Sequence, residues 1–128
     1  CSSDLDNFKN VNDEHGHPAG DFVLKNTAAV ILSLLRSQDV FGRIGGEEFA
    51  IFLPETISDN GVNLAEKVRA KVYNHIFNFH SIVIPVAISV GIVGLGAKHK
   101  EPSDLIDAAD AQLYRAKESG RNQVCRTD

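Results

Sequence analysis

The sequence has little cysteine and no long apolar run, and each absence excludes a class of protein. Only Cys1 and Cys125 are present, so the chain cannot build a disulfide framework or a cysteine metal cluster. No stretch approaches the roughly 20 unbroken apolar residues that a membrane-spanning helix needs, and no charged-then-apolar leader opens the chain. We therefore expect a cytoplasmic setting for this segment, with no membrane contact of its own.

The chain also lacks an excess of positive charge. Its 13 basic and 17 acidic side chains give a net charge of −4, whereas proteins that bind duplex nucleic acid normally present a basic face. With 43% hydrophobic residues and so modest a charge, the composition is not that of a disordered chain. The length suits one domain, and we find no repeat, low-complexity tract or linker, so residues 1–128 are interpreted as a single domain.

The spacing of apolar residues predicts helices that alternate with strands. The predicted helices are 18–35, 58–77 and 102–119, and the predicted strands are 40–44, 49–53, 82–93 and 123–126. Gly45-Gly46 between two strands predicts a hairpin, because glycine reaches positive φ without steric cost. Pro85 predicts an irregular start to the third strand, because proline cannot donate to a sheet ladder. The fold class is α/β with a mixed sheet.

Two acidic segments, 4–21 and 45–49, concentrate the polar chemistry. If the sheet brings Asp4 and Glu47 to about 4 Å from each other, they repel by about 4 kcal/mol at an effective dielectric near 20. Such a pair must share a proton or hold a divalent cation, and hard oxygen ligands with few His or Cys indicate Mg²⁺ or Mn²⁺. From the residues alone an alternative stays open, in which Asp4 and Asp6 cap the following helix and Gly-Gly-Glu-Glu is a solvated turn.

Known ion and nucleotide motifs do not account for these segments. A calcium loop starting at Asp4 would need an oxygen ligand in place of Phe8, a glycine in place of Lys9 and a glutamate in place of His15. The phosphate-binding pattern G-x-x-x-x-G-K-[ST] is absent as well, so any nucleotide site must be built another way. Only three residues precede Asp4, which leaves little room for the strand that normally carries such a carboxylate.

The order of the motifs resembles the GGDEF domains, the diguanylate cyclases. The matching segments are Asp4-Leu5-Asp6-Asn7-Phe8-Lys9, Asn12-Asp13, Gly16-His17, Gly20-Asp21, Arg43-Ile44-Gly45-Gly46-Glu47-Glu48-Phe49, and 109–122. They cover nearly the whole chain in the family's order. By this resemblance the chain is a GGEEF variant that lacks the family's N-terminal helix and most of its first strand.

The resemblance implies a palm-like mixed sheet flanked by helices, similar to nucleotide cyclase and polymerase palm domains. It implies that two GTP molecules, one on each protomer of a homodimer, condense to cyclic di-GMP with release of two pyrophosphates. In that reaction the ribose 3′-hydroxyl attacks the α-phosphate, with two Mg²⁺ or Mn²⁺ ions in each active site. We expect an upstream sensor domain in the parent protein, which could itself be membrane-anchored, and reduced activity in this fragment.

A non-catalytic receptor domain that binds GTP or cyclic di-GMP and relays a signal is the alternative function. Degenerate receptors would be expected to lose Asp4, Lys9 or Glu47, and all of these residues are intact here. The sequence therefore favours the enzyme.

The resemblance also implies roles for individual residues. The implied metal ligands are Asp4, the carbonyl of Leu5, Glu47 and Glu48, and the implied catalytic residues are Glu47, as the base, and Lys9, which stabilises charge on the transferred group. The implied substrate-binding residues are Phe8, Lys9, Asn12, His17, Asp21, Gly45, Gly46, Lys117 and Arg121. Among these, Asn12 and Asp21 would recognise guanine, and Lys117 and Arg121 would bind phosphates.

A further motif, Arg36-Ser37-Gln38-Asp39, lies shortly before the two glycines. It matches the family's R-x-x-D inhibitory site, which implies product inhibition by cyclic di-GMP bound at Arg36 and Asp39. Arginine can donate two hydrogen bonds to guanine O6 and N7, which gives this pairing a physical reason. The alternative is a helix-end arginine favoured by the dipole, with a turn aspartate beside it.

Overall fold

A five-stranded mixed sheet is the centre of the computed structural model, which describes residues 1–94 and 102–127. The strands are β1 (Ser2–Leu5), β2 (Val40–Arg43), β3 (Glu48–Phe52), β4 (Phe77–Phe79), β5 (Ile82–Ile84), β6 (Ile88–Ile92) and β7 (Val124–Arg126), and the helices are α1 (Phe8–His15), α2 (His17–Leu32), α3 (Ser58–Asn74) and α4 (Pro102–Glu118). The main sheet has the order β2-β3-β1-β6-β7, in which only the β6–β7 pair is parallel. The predicted α/β class is confirmed. No helix in the described ranges has the length and apolar character needed to cross a membrane.

The first strand corrects one expectation from the sequence. A strand that we expected to be largely missing is present over Ser2–Leu5, at the centre of the sheet. Asp4 lies opposite Glu48 of β3 on one side and opposite Ser89 of β6 on the other. Because β1 has a partner on both sides, its four residues do not leave an exposed edge.

The two faces of the sheet have different coverings. Leu5, Phe49 and Val90 belong to the apolar core with buried residues of α2 and α3. Since successive side chains of a strand point to opposite faces, Ser2 and Asp4 face the other side, where α4 lies. Contacts from Ser2 and Asp4 to residues of α4 agree with this placement. The functional side chains of β1 therefore lie between the sheet and α4.

Helix α4 packs directly on the backbone of β6. A Cβ atom at Gly91 would lie 2.2 Å from both the carbonyl oxygen of Ala109 and the amide nitrogen of Leu113. Real Cβ atoms do not approach backbone atoms so closely, so this position requires glycine. The contact fixes the distance between α4 and the sheet.

The predicted strand 82–93 is in fact two strands in two different sheets. β5 pairs with β4 in a separate hairpin, whereas β6 belongs to the main sheet. Pro85 lies between them, and its missing N–H explains why one ladder cannot continue through it. The end of the second predicted helix, 58–77, also moves: α3 ends at Asn74 rather than at 77, because Phe77 is buried in the core as part of β4.

The predicted hairpin at 40–53 is confirmed, but the reason given for it is wrong. β2 and β3 pair in register, and the Ile44 N–H donates to the Glu48 carbonyl at 2.9 Å to close the loop. Neither Gly45 nor Gly46 has a positive φ. The loop turns without a left-handed residue, so its backbone conformation does not require glycine at these two positions.

Candidate active site

The carboxylate of Asp4 lies at the end of β1 beneath helix α4. Its Oδ1 is 2.9 Å from the Nζ of Lys117, and its side chain is 16% exposed. The same oxygen is buried and receives no well-directed hydrogen bond from any residue that the structure describes. Asp4 therefore has one positive neighbour and an oxygen whose bonding capacity is only partly used.

The loop between β2 and β3 brings Glu47 to Asp4. The carbonyl of Glu47 accepts a hydrogen bond from the Leu5 N–H at 3.2 Å, which ties the loop to the end of β1. Burial and the negative charges of Asp4 and Glu48 raise the pKa of Glu47, and the positive charge of Lys117 opposes them. The two carboxylates thus interact, although they are 43 positions apart in the sequence.

Glu48 points to a second acid, Asp110 of α4. The Ser2 hydroxyl donates to Asp110 Oδ1 at 2.7 Å and to Glu48 Oε1 at 3.4 Å. Burial and the nearby Asp110 carboxyl raise the pKa of Glu48, whereas the Ser2 hydroxyl lowers it. Sequence reasoning did not assign Asp110 or Ser2. The only available sign was the seven-residue spacing from Asp110 to Lys117, which places both on one face of a helix.

We call Asp4, Glu47, Glu48, Asp110 and Lys117 together the carboxylate site. No group of three His, Cys, Asp or Glu side chains within residues 1–94 and 102–127 is close enough to hold a metal ion by itself. The donors nevertheless suit a hard cation that is bound by one or two carboxylates together with substrate phosphates, which is how Mg²⁺ commonly binds. The underused oxygen of Asp4 and the raised pKa of Glu47 both indicate a shortage of positive charge.

Asp6 is the acid whose importance the sequence reasoning missed. Its side chain is only 3% exposed. The Oδ1 atom accepts hydrogen bonds from the Ser89 hydroxyl at 2.7 Å and from Lys117 Nζ at 3.2 Å, and Oδ2 accepts one from the Asn122 N–H at 2.9 Å. Asp6 thus links the end of β1 to β6, to α4 and to the turn after α4.

The predicted guanine-recognising residues lie on α1 and α2. The two helices meet at Gly16, whose φ of +88° favours glycine. Gly20 of α2 packs against Asn12 of α1 so closely that a Cβ there would lie 1.8 Å from Asn12 Oδ1. Asp21 is the next residue of α2 and is exposed. Asn12 therefore lies at the contact between α1 and α2, and Asp21 follows directly after Gly20, the residue of α2 that forms this contact.

The remaining predicted substrate residues differ in how far they are exposed. Lys9, His17 and Arg121 are exposed, and Phe8 is half-buried. Gly46 has open space around it, since no atom of the described residues would lie within 4 Å of a Cβ at this position. The carbonyls of both loop glycines accept hydrogen bonds from Arg43 Nε, at 3.0 and 3.1 Å, which holds the open loop in place.

Arg36 and Asp39 form a second charged group, which we call the arginine site. The Arg36 Nη2 donates to Asp39 Oδ1 at 2.8 Å, to Thr56 Oγ1 at 2.8 Å and to the Pro54 carbonyl at 3.1 Å. The hydrogen bond from Arg36 lowers the pKa of Asp39, and that same bond raises the pKa of Arg36. The two predicted residues are brought together here and bind each other.

An apolar cavity of about 650 Å³ lies beside these sites. Its lining includes Val40, Phe52, Ile57 and Ile106, which are all strongly exposed. None of the five residues of the carboxylate site lines it. Large concavities are the usual first guess for a reaction centre, but here the charged side chains with shifted pKa values, Arg36, Asp39, Glu47 and Glu48, lie outside this cavity.

Comparison with known proteins gives one consistent result. Residues 2–123 match the family model described as diguanylate cyclase, GGDEF domain. Diguanylate cyclase A of Treponema denticola is 37% identical over 94% of this chain, and the probable diguanylate cyclase DgcT of Escherichia coli is 39% identical over 98%. The chain spans only 33% and 28% of the lengths of these two relatives.

Solved structures agree with the fold described above. The active GGEEF domain of a diguanylate cyclase from Vibrio cholerae has a TM-score of 0.92 and 35% identity, covering 99% of this chain and 80% of that one. The GGDEF domain of DgcB from Caulobacter crescentus, in complex with c-di-GMP, has a TM-score of 0.92 and 30% identity, covering 98% and 74%. The palm-like mixed sheet flanked by helices is thereby confirmed.

Proposed function

This chain belongs to the GGDEF domain family of diguanylate cyclases, and from that premise we propose that it condenses two GTP molecules into cyclic di-GMP with release of two pyrophosphates. One observation carries the proposal: Asp4 and Glu47 meet beside a single ammonium group, with more negative charge than Lys117 balances. Such an arrangement attracts a divalent cation and the phosphates that accompany it.

The metal would be held by Asp4, the carbonyl of Leu5 and Glu47, with Glu48 at the border of the site. A bound Mg²⁺ or Mn²⁺ would neutralise these carboxylates and stabilise charge on the phosphates. Glu47 is suited to accept the proton of the ribose 3′-hydroxyl, because a raised pKa brings a carboxylate closer to the operating pH. The hydroxyl oxygen then bonds to the α-phosphorus of the other GTP, and pyrophosphate leaves.

The cations and polar side chains around the carboxylate site would position the nucleotide. Lys117, Arg121 and Lys9 would bind phosphates, with Lys9 stabilising charge on the transferred group. Asn12 and Asp21 would pair with the guanine edge, with His17 and Phe8 close to the nucleotide. The open backbone at Gly46 would let the nucleotide approach the loop, with Gly45, which packs against Glu48, next to it.

Each site would hold one of the two reacting nucleotides, so the reaction would require a homodimer. A monomer has no second site to supply the attacking or receiving nucleotide. Because the curated relatives are about three times longer than this chain, we also propose that further segments, such as a sensor domain, control how two such domains meet.

Incubation of the purified chain with GTP and Mg²⁺ tests the proposal, with cyclic di-GMP and pyrophosphate measured by chromatography. We expect both products from the wild type, and rates of product formation at least about 100-fold lower from Asp4→Asn and Glu47→Gln. Glu66→Gln, an exposed acid of α3, is the matched control and should retain the wild-type rate. Wild-type rates in both site variants would disprove the site, and nucleotide binding without any product would support the receptor function instead.

We propose that cyclic di-GMP inhibits the enzyme by binding at the arginine site. Its guanine O6 and N7 would accept hydrogen bonds from Arg36. These bonds would replace those that Arg36 now makes to Asp39, Thr56 and Pro54. The site is therefore closed by its own residues until a ligand competes for the guanidinium.

A further inference from the structure

Asp6 takes no part in the proposed reaction, yet its carboxylate is buried and bonded on both oxygens. Ser89, Lys117 and Asn122 supply these bonds from three separate parts of the fold. The Asp6 N–H donates to the Ala87 carbonyl at 2.9 Å, so the backbone that carries the carboxylate is itself fixed. A buried carboxylate with charged and backbone donors is a rigid anchor, because every lost bond would leave an unsatisfied charge.

The turn after α4 needs such an anchor. Gly120, Arg121 and Asn122 have φ values of +118°, +65° and +44°, all in the left-handed region. Residues other than glycine are found there only where surrounding contacts hold them. The Arg121 N–H donates to the Ala116 carbonyl at 2.9 Å, and the Asn122 N–H donates to Asp6 at 2.9 Å. Asp6 is therefore the contact that ties this turn to β1.

We propose that Asp6 is a positioning residue for two phosphate-binding cations, holding Lys117 directly and Arg121 through the Asn122 N–H. This proposal rests on the proposed function, in which both cations bind the phosphates of GTP. Arg121 is exposed and its guanidinium has no ion-pair partner in the described part of the chain, so the turn determines the point from which this side chain leaves the backbone. Lys117 is shared between Asp4 and Asp6, and the bond to Asp6 keeps it in place when Asp4 binds another group.

Asp6→Asn tests the proposal, because it preserves the size of the side chain while removing its charge and one acceptor. We expect its affinity for GTP with Mg²⁺, measured by calorimetry, to fall by about 10- to 100-fold, the usual effect of losing hydrogen bonds to charged groups. Its affinity for GMP, which has a single phosphate, should fall by less than about 3-fold. A role limited to stability would lower both affinities alike.

Two further variants make the test specific. Asp107→Asn is the matched control, an exposed aspartate on α4, and should leave both affinities unchanged. Arg121→Ala should weaken GTP binding, and combining it with Asp6→Asn should cost less than the sum of the two, since Asp6 acts in part through the position of Arg121. Thermal unfolding checks that each variant is folded, and Asp6→Glu, which displaces the carboxylate by one methylene, replaces Asp6→Asn if that variant does not fold.

The outcomes separate this proposal from the proposed function. Equal losses for GTP and GMP, or additive effects of Asp6→Asn and Arg121→Ala, would overturn the role of Asp6 and leave the cyclase proposal standing. A wild-type chain that binds neither nucleotide would contradict the cyclase proposal and this one with it.

Discussion

The carboxylate site and the arginine site are both charged, but their charges are balanced in opposite ways. Burial and neighbouring acids raise the pKa of Glu47 and Glu48, so the carboxylate site has too little positive charge. At the arginine site the guanidinium lowers the pKa of Asp39, and the pair satisfies itself. A site with too little positive charge favours binding of a cation. At the arginine site, by contrast, a ligand can bind Arg36 only if it replaces one of the partners that Arg36 already has. This difference fits one site for metal-assisted chemistry and another for reversible regulation.

The largest expected effect comes from removing one charge of the carboxylate site. Glu47→Gln should lower the rate of cyclic di-GMP formation by about 10²- to 10⁴-fold, the usual contribution of a general base. Product formation under saturating GTP and Mg²⁺ measures the effect. A loss below about 3-fold would show that Glu47 is neither the base nor an essential ligand.

A change in the arginine site should affect inhibition and spare the initial rate. Arg36→Ala removes the proposed guanine donor, and we expect the concentration of cyclic di-GMP that halves the rate to rise by about 10-fold or more, as for loss of a charged hydrogen bond. The measurement is the initial rate at increasing product concentration. If both proteins are inhibited alike, the arginine site is not the inhibitory site.

Stability should respond to the two sites with opposite signs. Without metal, Glu47→Gln relieves repulsion and should raise the melting temperature, whereas Asp39→Asn removes the partner of Arg36 and should lower it. Since these side chains are partly exposed or pair with an exposed group, screening keeps each change small, roughly 2–4 °C. Differential scanning calorimetry at low salt, in buffer with a chelator, measures the melting temperature of each variant. A lower melting temperature in both variants would refute the proposed imbalance of charge.

The smallest effect is the pH dependence of unfolding. A carboxyl with a raised pKa in the folded chain binds its proton more tightly there, so Glu47 and Glu48 make the chain less stable as pH rises above their usual 4.5. Asp39 acts in the opposite sense: its lowered pKa stabilises the chain above its usual 3.8 and that stability is lost as pH falls below it. Urea unfolding across this range should show a weaker decline above pH 4.5 in Glu47→Gln than in the wild type.

Much of the fold could be predicted because local pattern and local structure agree. The hairpin at 40–53 and the helices α2 and α4 follow from apolar spacing, and a proline marks the start of both helices. The break at Pro85 was visible in the sequence, but the assignment of β5 to a separate sheet was not. That assignment depends on the pairing of β5 with β4. Strand β4 forms where helix α3 was predicted to continue, because Phe77 is buried in the core.

The motifs implied some residues of the candidate site but neither Asp110 nor the contacts between them. The motifs implied Asp4, Glu47 and Lys117, but not that Lys117 is shared between Asp4 and Asp6. The bond from Ser2 to Asp110 joins positions 108 residues apart, and no pattern of local spacing reports such a contact. Long-range partners of this kind are decided by how α4 packs on the sheet.

One glycine governs that packing without contributing a functional group. At Gly91 the backbone of α4 packs directly on the backbone of β6, so no side chain separates the helix from the sheet there. Any larger residue there would push α4 away from the sheet and so move Lys117 and Asp110 away from β1 together. The positions of Lys117 and Asp110 relative to Asp4 and Ser2 thus depend on a residue without a side chain. A substitution at Gly91 would disturb the site without changing any charged residue.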